Sequence, residues 1–155
     1  MYDELNARFR ESGITGEITP FLADMPHAFA EADIVVSRAG MGAVSELAAA
    51  GKPSILVPFP DASDDHQLHN ARAMEKAGAA RLVLDQEMTG PRLLKEVSQL
   101  VAHPDILEKM SAAARSIAQP GAARRAADVL VDLASGSLAS PEVGIDRRAE
   151  SRNNT

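Results

Sequence analysis

The sequence has no cysteine, no tryptophan, a single tyrosine and only four phenylalanines among its 155 residues. The absence of cysteine excludes disulfide bonds, thiolate metal sites and cysteine nucleophiles. Because aromatic residues are scarce while 45% of the residues are hydrophobic, the core has to be built from Ala, Leu, Val and Ile. Such a composition is typical of buried parallel strands that are covered by alanine-rich helices.

An excess of basic residues is also lacking, since the formal net charge is -6. Acids and bases balance after residue 134, so the negative charge lies in the body of the chain. General nucleic-acid binding needs a basic surface, and we therefore expect no nucleic-acid partner. A single phosphate ligand stays compatible with this charge, because backbone N–H groups and a helix dipole can bind it.

Long apolar runs are absent as well. No run approaches the roughly 18 residues that a membrane-spanning helix requires, and the first residues lack the apolar segment of a signal peptide. The sequence therefore predicts neither feature.

The chain does contain short β-branched runs that alternate with helical patterns. Strands are predicted at 17–19, 33–37, 53–58 and 81–84. Helices are predicted at 3–11, 65–77, 91–101, 104–118 and 121–134. Two more are predicted, one that begins with Asp24 as its N-cap and one that follows the glycine turn at 39–42 and ends at residue 50. This alternation predicts an α/β fold with a parallel sheet and right-handed crossovers. We assign residues 1–134 to one domain and interpret residues 135–155, which lose periodicity, as a disordered tail.

Ligands of open parallel sheets bind beyond the carboxyl ends of the strands. Three polar or glycine-rich stretches fall there, at 21–25, 37–42 and 59–66. The sequence therefore places a candidate site at this edge of the sheet.

Gly40 and Gly42 form a turn between a predicted strand and a predicted helix. Glycine permits a positive φ and a close approach of the backbone to a ligand, and the N–H groups of a helix start suit a diphosphate. Glu46 follows one turn later, where a carboxylate can accept hydrogen bonds from a ribose diol. Each feature alone is commonly structural, as a tight connection or a solvated acid. The combination predicts a nucleotide site.

Two alternatives remain open from the residues alone. Gly40 and Gly42 resemble the start of the dinucleotide fingerprint G-x-G-x-x-G, although its last position is Ser45, and Asp61 fits the acid that binds ribose. This pattern is compatible with a fragment of a nicotinamide-dependent oxidoreductase, although the missing third glycine and the strand and helix that precede this unit weaken that interpretation. The other alternative is a non-catalytic remnant that binds a partner through exposed sheet edges.

Residues 61–70 form a second polar segment. Gln67 and Asn70 share a helix face, and their amides suit sugar hydroxyls. His66 and His69 stand beside two aspartates, which would suit a metal, but no third ligand has a specific spacing. We expect no metal and no cofactor here, and helix capping by Asp64 or Asp65 is the simpler interpretation.

Several longer segments match a known pattern: ITPFLADM at 18–25, ADIVVSRAG at 32–40, SELAAAGKP at 45–53, VPFP at 57–60, DDHQ at 64–67, NA at 70–71 and EKAGAA at 75–80. Together they resemble the MurG family, the peptidoglycan N-acetylglucosaminyltransferases of glycosyltransferase family 28. The resemblance runs from about Ile14 to Ala134. It implies a Rossmann-like parallel sheet with flanking helices, the C-terminal half of a GT-B fold, whose first strand and first glycine-rich loop lie outside this chain.

The resemblance also implies an activity. The family transfers N-acetylglucosamine from UDP-N-acetylglucosamine to lipid I with inversion, and the lipid II that forms serves the cell wall, cell shape and cell division. Its N-terminal half binds the acceptor, supplies the general base and docks on the inner face of the bacterial plasma membrane. We therefore expect no catalytic residue in this chain and no transfer by the 155 residues alone. The chain is then a fragment, or a second N-terminal chain complements it.

Donor-binding positions carry over from the family motifs. The resemblance implies that uracil contacts Phe21, the backbone of Leu22, and Met25. It implies that the diphosphate binds to the N–H groups of Gly40, Met41 and Gly42, and that ribose binds to Glu46. The sugar hydroxyls would contact His66 and Gln67, with Asn70 nearby. Arg38 belongs to the motif without an assigned role. Ala43 departs from it, because many relatives have a hydroxyl there, so the backbone has to contribute more of the phosphate binding.

Overall fold

The computed structural model describes residues 2–61 and 65–135. Two compact units make up the chain, residues 1–119 and the residues from Pro120 onward. Asp64 and nearly all of the predicted tail lie outside the described residues.

The first unit is a three-stranded parallel sheet with helices on both faces. Its elements are α1 (Tyr2–Glu11), α2 (Met25–Glu31), β1 (Val35–Ser37), α3 (Met41–Ala50), β2 (Ser54–Leu56), α4 (His66–Lys76), β3 (Ala80–Leu82), a 3-10 helix (Asp85–Glu87), α5 (Gly90–Val101) and α6 (Pro104–Ile117). The strand order is β1-β2-β3, with Val36 opposite Ile55 and Ile55 opposite Arg81. The predicted parallel sheet and its crossover helices are confirmed.

Local signals set the helix ends. The Asp24 side chain accepts a hydrogen bond from the His27 N–H at 3.0 Å and caps α2, with proline in the first turn. Gly51 ends α3 with a φ of 64°, and Gly78 follows α4 with a φ of 81°. Both glycines adopt the left-handed conformation that commonly terminates a helix. These boundaries agree with the sequence predictions.

Two apolar layers enclose β2, the central strand. The first layer packs the sheet against α3 and α4 and includes Leu47, Leu56 and Met74; the second packs it against α5 and α6 and includes Ile55 and Leu100. No aromatic side chain among the described residues is fully buried. The core therefore consists of aliphatic residues, alanine and methionine, and β2 is buried on both faces, as its apolar run predicts.

The predicted strand at 17–19 is wrong, because this segment pairs with no strand in the described chain. The Ile18 carbonyl accepts the Tyr2 hydroxyl at 3.2 Å, and the Thr19 hydroxyl donates to the Phe21 carbonyl at 2.8 Å. A side chain thus occupies the Ile18 carbonyl, a backbone acceptor that a ladder would use. The burial predicted for 33–37 is also only partial, since Val36 is 45% exposed on the edge strand β1.

The second unit contributes α7 (Ala122–Ala134), in which every residue is exposed. It begins after Gly121, whose φ is 74°, and Arg125 donates to the Pro120 carbonyl at 2.7 Å. Within the described ranges, no helix combines the length and the apolar character needed to cross a bilayer.

Glu96 is the buried acid of α5, and two arginines bind it. Arg81 Nη1 lies 2.7 Å from one carboxylate oxygen and Arg92 Nε lies 2.8 Å from the other. Burial alone would raise the pKa of Glu96, but the hydrogen bonds and positive charges of the two arginines outweigh it and lower the pKa below its ordinary value of 4.5.

This lowered pKa predicts a pH-dependent stability. The contribution of the Glu96 carboxylate is fully present above its unfolded pKa and is lost as the pH falls through the lower folded pKa. We expect Glu96→Gln to lower the free energy of unfolding by about 1–3 kcal/mol near neutral pH, and by less near pH ~3. Urea denaturation at both pH values measures this. Glu108→Gln, an exposed acid of α6, is the control, and a Glu96→Gln deficit that does not shrink in acid would contradict the prediction.

Candidate functional site

The carboxyl ends of the three strands meet at one edge of the sheet, because all pairings are parallel. The glycine turn connects β1 to α3 there, the segment from Val57 connects β2 to α4, and Leu84 leads from β3 into the 3-10 helix. The sequence-predicted stretch 37–42 and the described residues of the stretch 59–66 thus lie side by side at this edge.

The glycine turn has ordinary backbone angles and does not use the positive φ that glycine permits. Gly40 is the N-cap of α3, with φ -63° and ψ 150°, and Gly42 lies in the first turn of the helix. What distinguishes the two glycines is space, because a Cβ at either would meet nothing within 4 Å. Glycine therefore leaves the surface open here and does not serve a backbone conformation that other residues avoid.

The start of α3 presents unused donors. No side chain caps this helix, and its first backbone acceptor, the Gly40 carbonyl, serves the Val44 N–H at 3.0 Å. The N–H groups of Met41, Gly42 and Ala43 consequently have no acceptor among residues 2–61 and 65–135. Three converging donors at the positive end of a helix dipole suit an anion.

A cavity of about 600 Å³ lies between α2 and α3. Its wall is mainly apolar and includes Met25 and Phe29, and its charged members are Glu46 and Lys52. Lys52 Nζ donates to the carbonyls of Ala30 and Ala32 at 3.3 and 2.9 Å, which satisfies the end of α2. The Glu46 carboxylate has no partner in the described part of the chain. The structure thus joins Met25 and Glu46 in one cavity that keeps a free acceptor.

The amides of α4 are engaged within the protein. Gln67 Oε1 accepts from the Phe59 N–H at 3.0 Å, and Asn70 Nδ2 donates to the Ala39 carbonyl at 3.0 Å. Asn70 therefore ties α4 to the glycine turn, and the Gln67 Nε2 donors have no acceptor within residues 2–61 and 65–135. Asp65 holds the N-cap position with a φ of 52° but makes no capping hydrogen bond, so capping by this residue is wrong.

Arg38 spans the carboxyl edge of the sheet. Its Nη1 donates to the carbonyls of Val57 and Pro58, each at 3.3 Å, and to the carboxylate of Asp85. Its Cζ lies 5.5 Å from the centre of the Phe59 ring. Sequence reasoning missed Asp85, although its position directly beyond β3 obeys the same strand-end rule that located the other loops.

The remaining predicted positions lie on the surface. Phe21 is 80% exposed and, like Leu22, precedes α2 outside the wall of the cavity. His66 and His69 are exposed on the first turn of α4, and Asp61 is exposed in the segment before it. No cluster of three or more residues able to hold a metal occurs within the described ranges.

Comparison with known proteins links this geometry to one family. Residues 1–129 match the model of the glycosyltransferase family 28 C-terminal domain. A relative from Solibacter usitatus is 56% identical over 133 residues, 86% of this chain and 36% of the relative. Another from Azotobacter vinelandii is 46% identical over 129 residues, 83% of this chain and 36% of the relative. Both are named UDP-N-acetylglucosamine–N-acetylmuramyl-(pentapeptide) pyrophosphoryl-undecaprenol N-acetylglucosamine transferase.

The MurG crystal structure from Acinetobacter baumannii superposes with a TM-score of 0.75 at 33% identity, over 84% of this chain and 38% of that one. The chain thus spans little more than a third of the length of these relatives. The predicted resemblance and the Rossmann-like C-terminal fold are confirmed, and no match supports the oxidoreductase alternative. The chain belongs to glycosyltransferase family 28, to whose C-terminal domain its residues 1–129 correspond.

Proposed function

We propose that this chain binds UDP-N-acetylglucosamine as the donor half of an inverting N-acetylglucosaminyltransferase that converts lipid I to lipid II. The observation that carries the proposal is the uncapped start of α3, where two glycines leave open space and Glu46, one turn behind, has no partner among the described residues. An anion site beside a free diol acceptor is what a nucleoside diphosphate requires. The relatives' names specify the same donor.

The diphosphate binds at the N–H groups of Met41, Gly42 and Ala43. Ala43 offers no hydroxyl, and the nearby Arg38 is already paired with Asp85, so the backbone carries the phosphate charge. In the reaction, the acceptor hydroxyl attacks the anomeric carbon in line and UDP leaves. Preorganised N–H donors and the helix dipole stabilise the charge that develops on this leaving group.

The nucleoside occupies the cavity between α2 and α3. Its volume of about 600 Å³ lies within the range of small-molecule sites. Glu46 accepts the ribose hydroxyls, Met25 lines the base pocket, and the exposed Phe21 ring packs against uracil with the Leu22 backbone beside it. His66 and the free Nε2 of Gln67 meet the sugar hydroxyls.

The acceptor side belongs to the part of the family protein that this chain does not span. We assign lipid I binding, the general base and the peripheral position on the cytoplasmic face of the membrane to that part, present in a longer protein or supplied by a complementing chain. This domain then contributes donor binding and leaving-group stabilisation.

Calorimetric titration of the full chain with UDP-N-acetylglucosamine, UDP and NAD tests the proposal. We expect both uridine ligands to bind and NAD to give no heat. Binding of NAD without UDP would favour the oxidoreductase alternative. Binding of none of them, with the fold intact by circular dichroism, would overturn the proposal and favour an interaction module.

Glu46→Ala is expected to weaken UDP binding about tenfold or more, because charged hydrogen bonds contribute about 1.5–3 kcal/mol. The loss should be smaller for 2′-deoxy-UDP, which lacks one of the two hydroxyls. Glu108→Ala, an exposed acid of α6, is the matched control and should bind both ligands as the wild type does. An unchanged preference for UDP over 2′-deoxy-UDP in Glu46→Ala would remove Glu46 from the ribose site.

A further inference from the structure

One side chain connects all three strand ends. Arg38 follows β1, its Nη1 donates to the Val57 and Pro58 carbonyls after β2, and it pairs with Asp85 after β3. Because the strands are ordered β1-β2-β3, the guanidinium crosses the whole carboxyl edge. Asp85 is its only carboxylate partner within the described ranges.

The same guanidinium reaches the segment that precedes α4. The Phe59 ring lies 5.5 Å from Arg38 Cζ, and the Phe59 N–H donates to Gln67 Oε1 at 3.0 Å. The orientation of Gln67 therefore depends on where Arg38 holds Phe59. Asn70 adds a second tie, since its amide donates to the Ala39 carbonyl next to Arg38 in sequence.

The charge of Arg38 is compensated by Asp85 where they meet. Their side chains are 50% and 39% exposed, and ion pairs of this exposure contribute little to global stability. The pair instead sets an orientation. Asp85 fixes the direction of the planar Arg38 guanidinium, which also donates to the two carbonyls after β2.

We propose that Asp85, acting through Arg38, is a positioning residue for recognition of the sugar part of the donor. This inference rests on the proposed function, in which Gln67 meets the sugar hydroxyls and the start of α3 binds the diphosphate. Loss of the pair frees Phe59, and with it the hydrogen bond that orients Gln67, and leaves α3 in place. Sugar recognition weakens, and UDP recognition does not.

Titration of the full chain carrying Asp85→Asn or Arg38→Met tests this, with UDP and UDP-N-acetylglucosamine as separate ligands. We expect about tenfold weaker UDP-N-acetylglucosamine binding, the effect of one hydrogen bond lost or misplaced, and unchanged UDP binding. Asp105→Asn and Lys109→Met break another exposed pair, 3.2 Å long on α6, and should change neither affinity.

The outcomes separate three cases. If the wild type binds both ligands and the variants lose affinity for both equally, or for neither, the positioning role is overturned. If Asp85→Asn binds both ligands more tightly, Arg38 is a diphosphate ligand that Asp85 restrains, which also overturns it. If the wild type binds neither ligand, it is the proposed function that fails.

Amide hydrogen exchange gives a readout that needs no ligand. The Phe59 N–H should exchange faster in Asp85→Asn and Arg38→Met than in the wild type, because Arg38 no longer holds Phe59 against its acceptor Gln67. The Asp105→Asn rate should equal that of the wild type. Unchanged Phe59 exchange in both test variants would show that the pair does not hold this segment and would overturn the inference.

Discussion

Gly42→Ala is expected to weaken UDP binding about a hundredfold and to leave the protein as stable as the wild type or slightly more stable. A Cβ at this position meets nothing within 4 Å of the protein, and side chains of a helix tilt toward its N-terminus. The methyl group would therefore project into the space where a phosphate has to approach the N–H groups. Loss of two charged hydrogen bonds, at about 1.5 kcal/mol each, corresponds to roughly this factor.

The opposite signs of the two effects make this test informative. Gly42 has no positive φ, so alanine fits the backbone and should stabilise the helix by up to about 1 kcal/mol. Gly90→Ala is the matched control, because Gly90 also begins a helix and its Cβ would also meet open space. It should bind UDP normally. Wild-type affinity in Gly42→Ala, measured by calorimetry, would place the diphosphate elsewhere.

Leu56→Ala is expected to lower the free energy of unfolding by about 3–5 kcal/mol. Leu56 is fully buried in the central strand, within the layer that packs against α3 and α4. Alanine leaves a cavity at this position. The surrounding residues cannot move to fill it, because β2 is hydrogen-bonded to a strand on each side. Since a domain of this size is stable by only about 5–15 kcal/mol, the change removes a large part of the total.

Ser54→Ala, in the same strand, provides the contrast. The Ser54 hydroxyl is buried and has no hydrogen-bond partner among the described residues, so its removal should be neutral or stabilising by up to about 1–3 kcal/mol. Urea denaturation of both variants measures the difference. A Leu56→Ala loss under about 1 kcal/mol would mean that the core collapses around the gap.

Helix ends and the central strand could be predicted from the sequence because local chemistry decides them. Asp24 can satisfy an N–H three residues on, and Gly51 and Gly78 accept a left-handed backbone that other residues resist. The apolar run of β2 has no polar face to expose, so burial follows. The strand predicted at 17–19 was wrong because strand propensity describes only how well a side chain fits a sheet. It does not supply a second strand to pair with.

The candidate site was predictable in outline from its glycine turn, Glu46 and the family resemblance. The reason for glycine at positions 40 and 42 could not be predicted. The backbone angles there are ordinary, and only the surrounding structure reveals the open space. Asp85 was missed because 47 residues separate it from Arg38. A search for polar residues after each strand would have found it.

By itself, the sequence determined most of the helices, the three strands of the sheet, their parallel direction and the family, since these follow from spacing, capping and motif. Only the tertiary structure decided which groups stay free. It engages the amides of Gln67 and Asn70 and pairs Arg38 with Asp85, while Glu46 and the first N–H groups of α3 keep no partner among the described residues. A hydrogen bond between distant residues depends on a distance of about 3 Å that only packing sets.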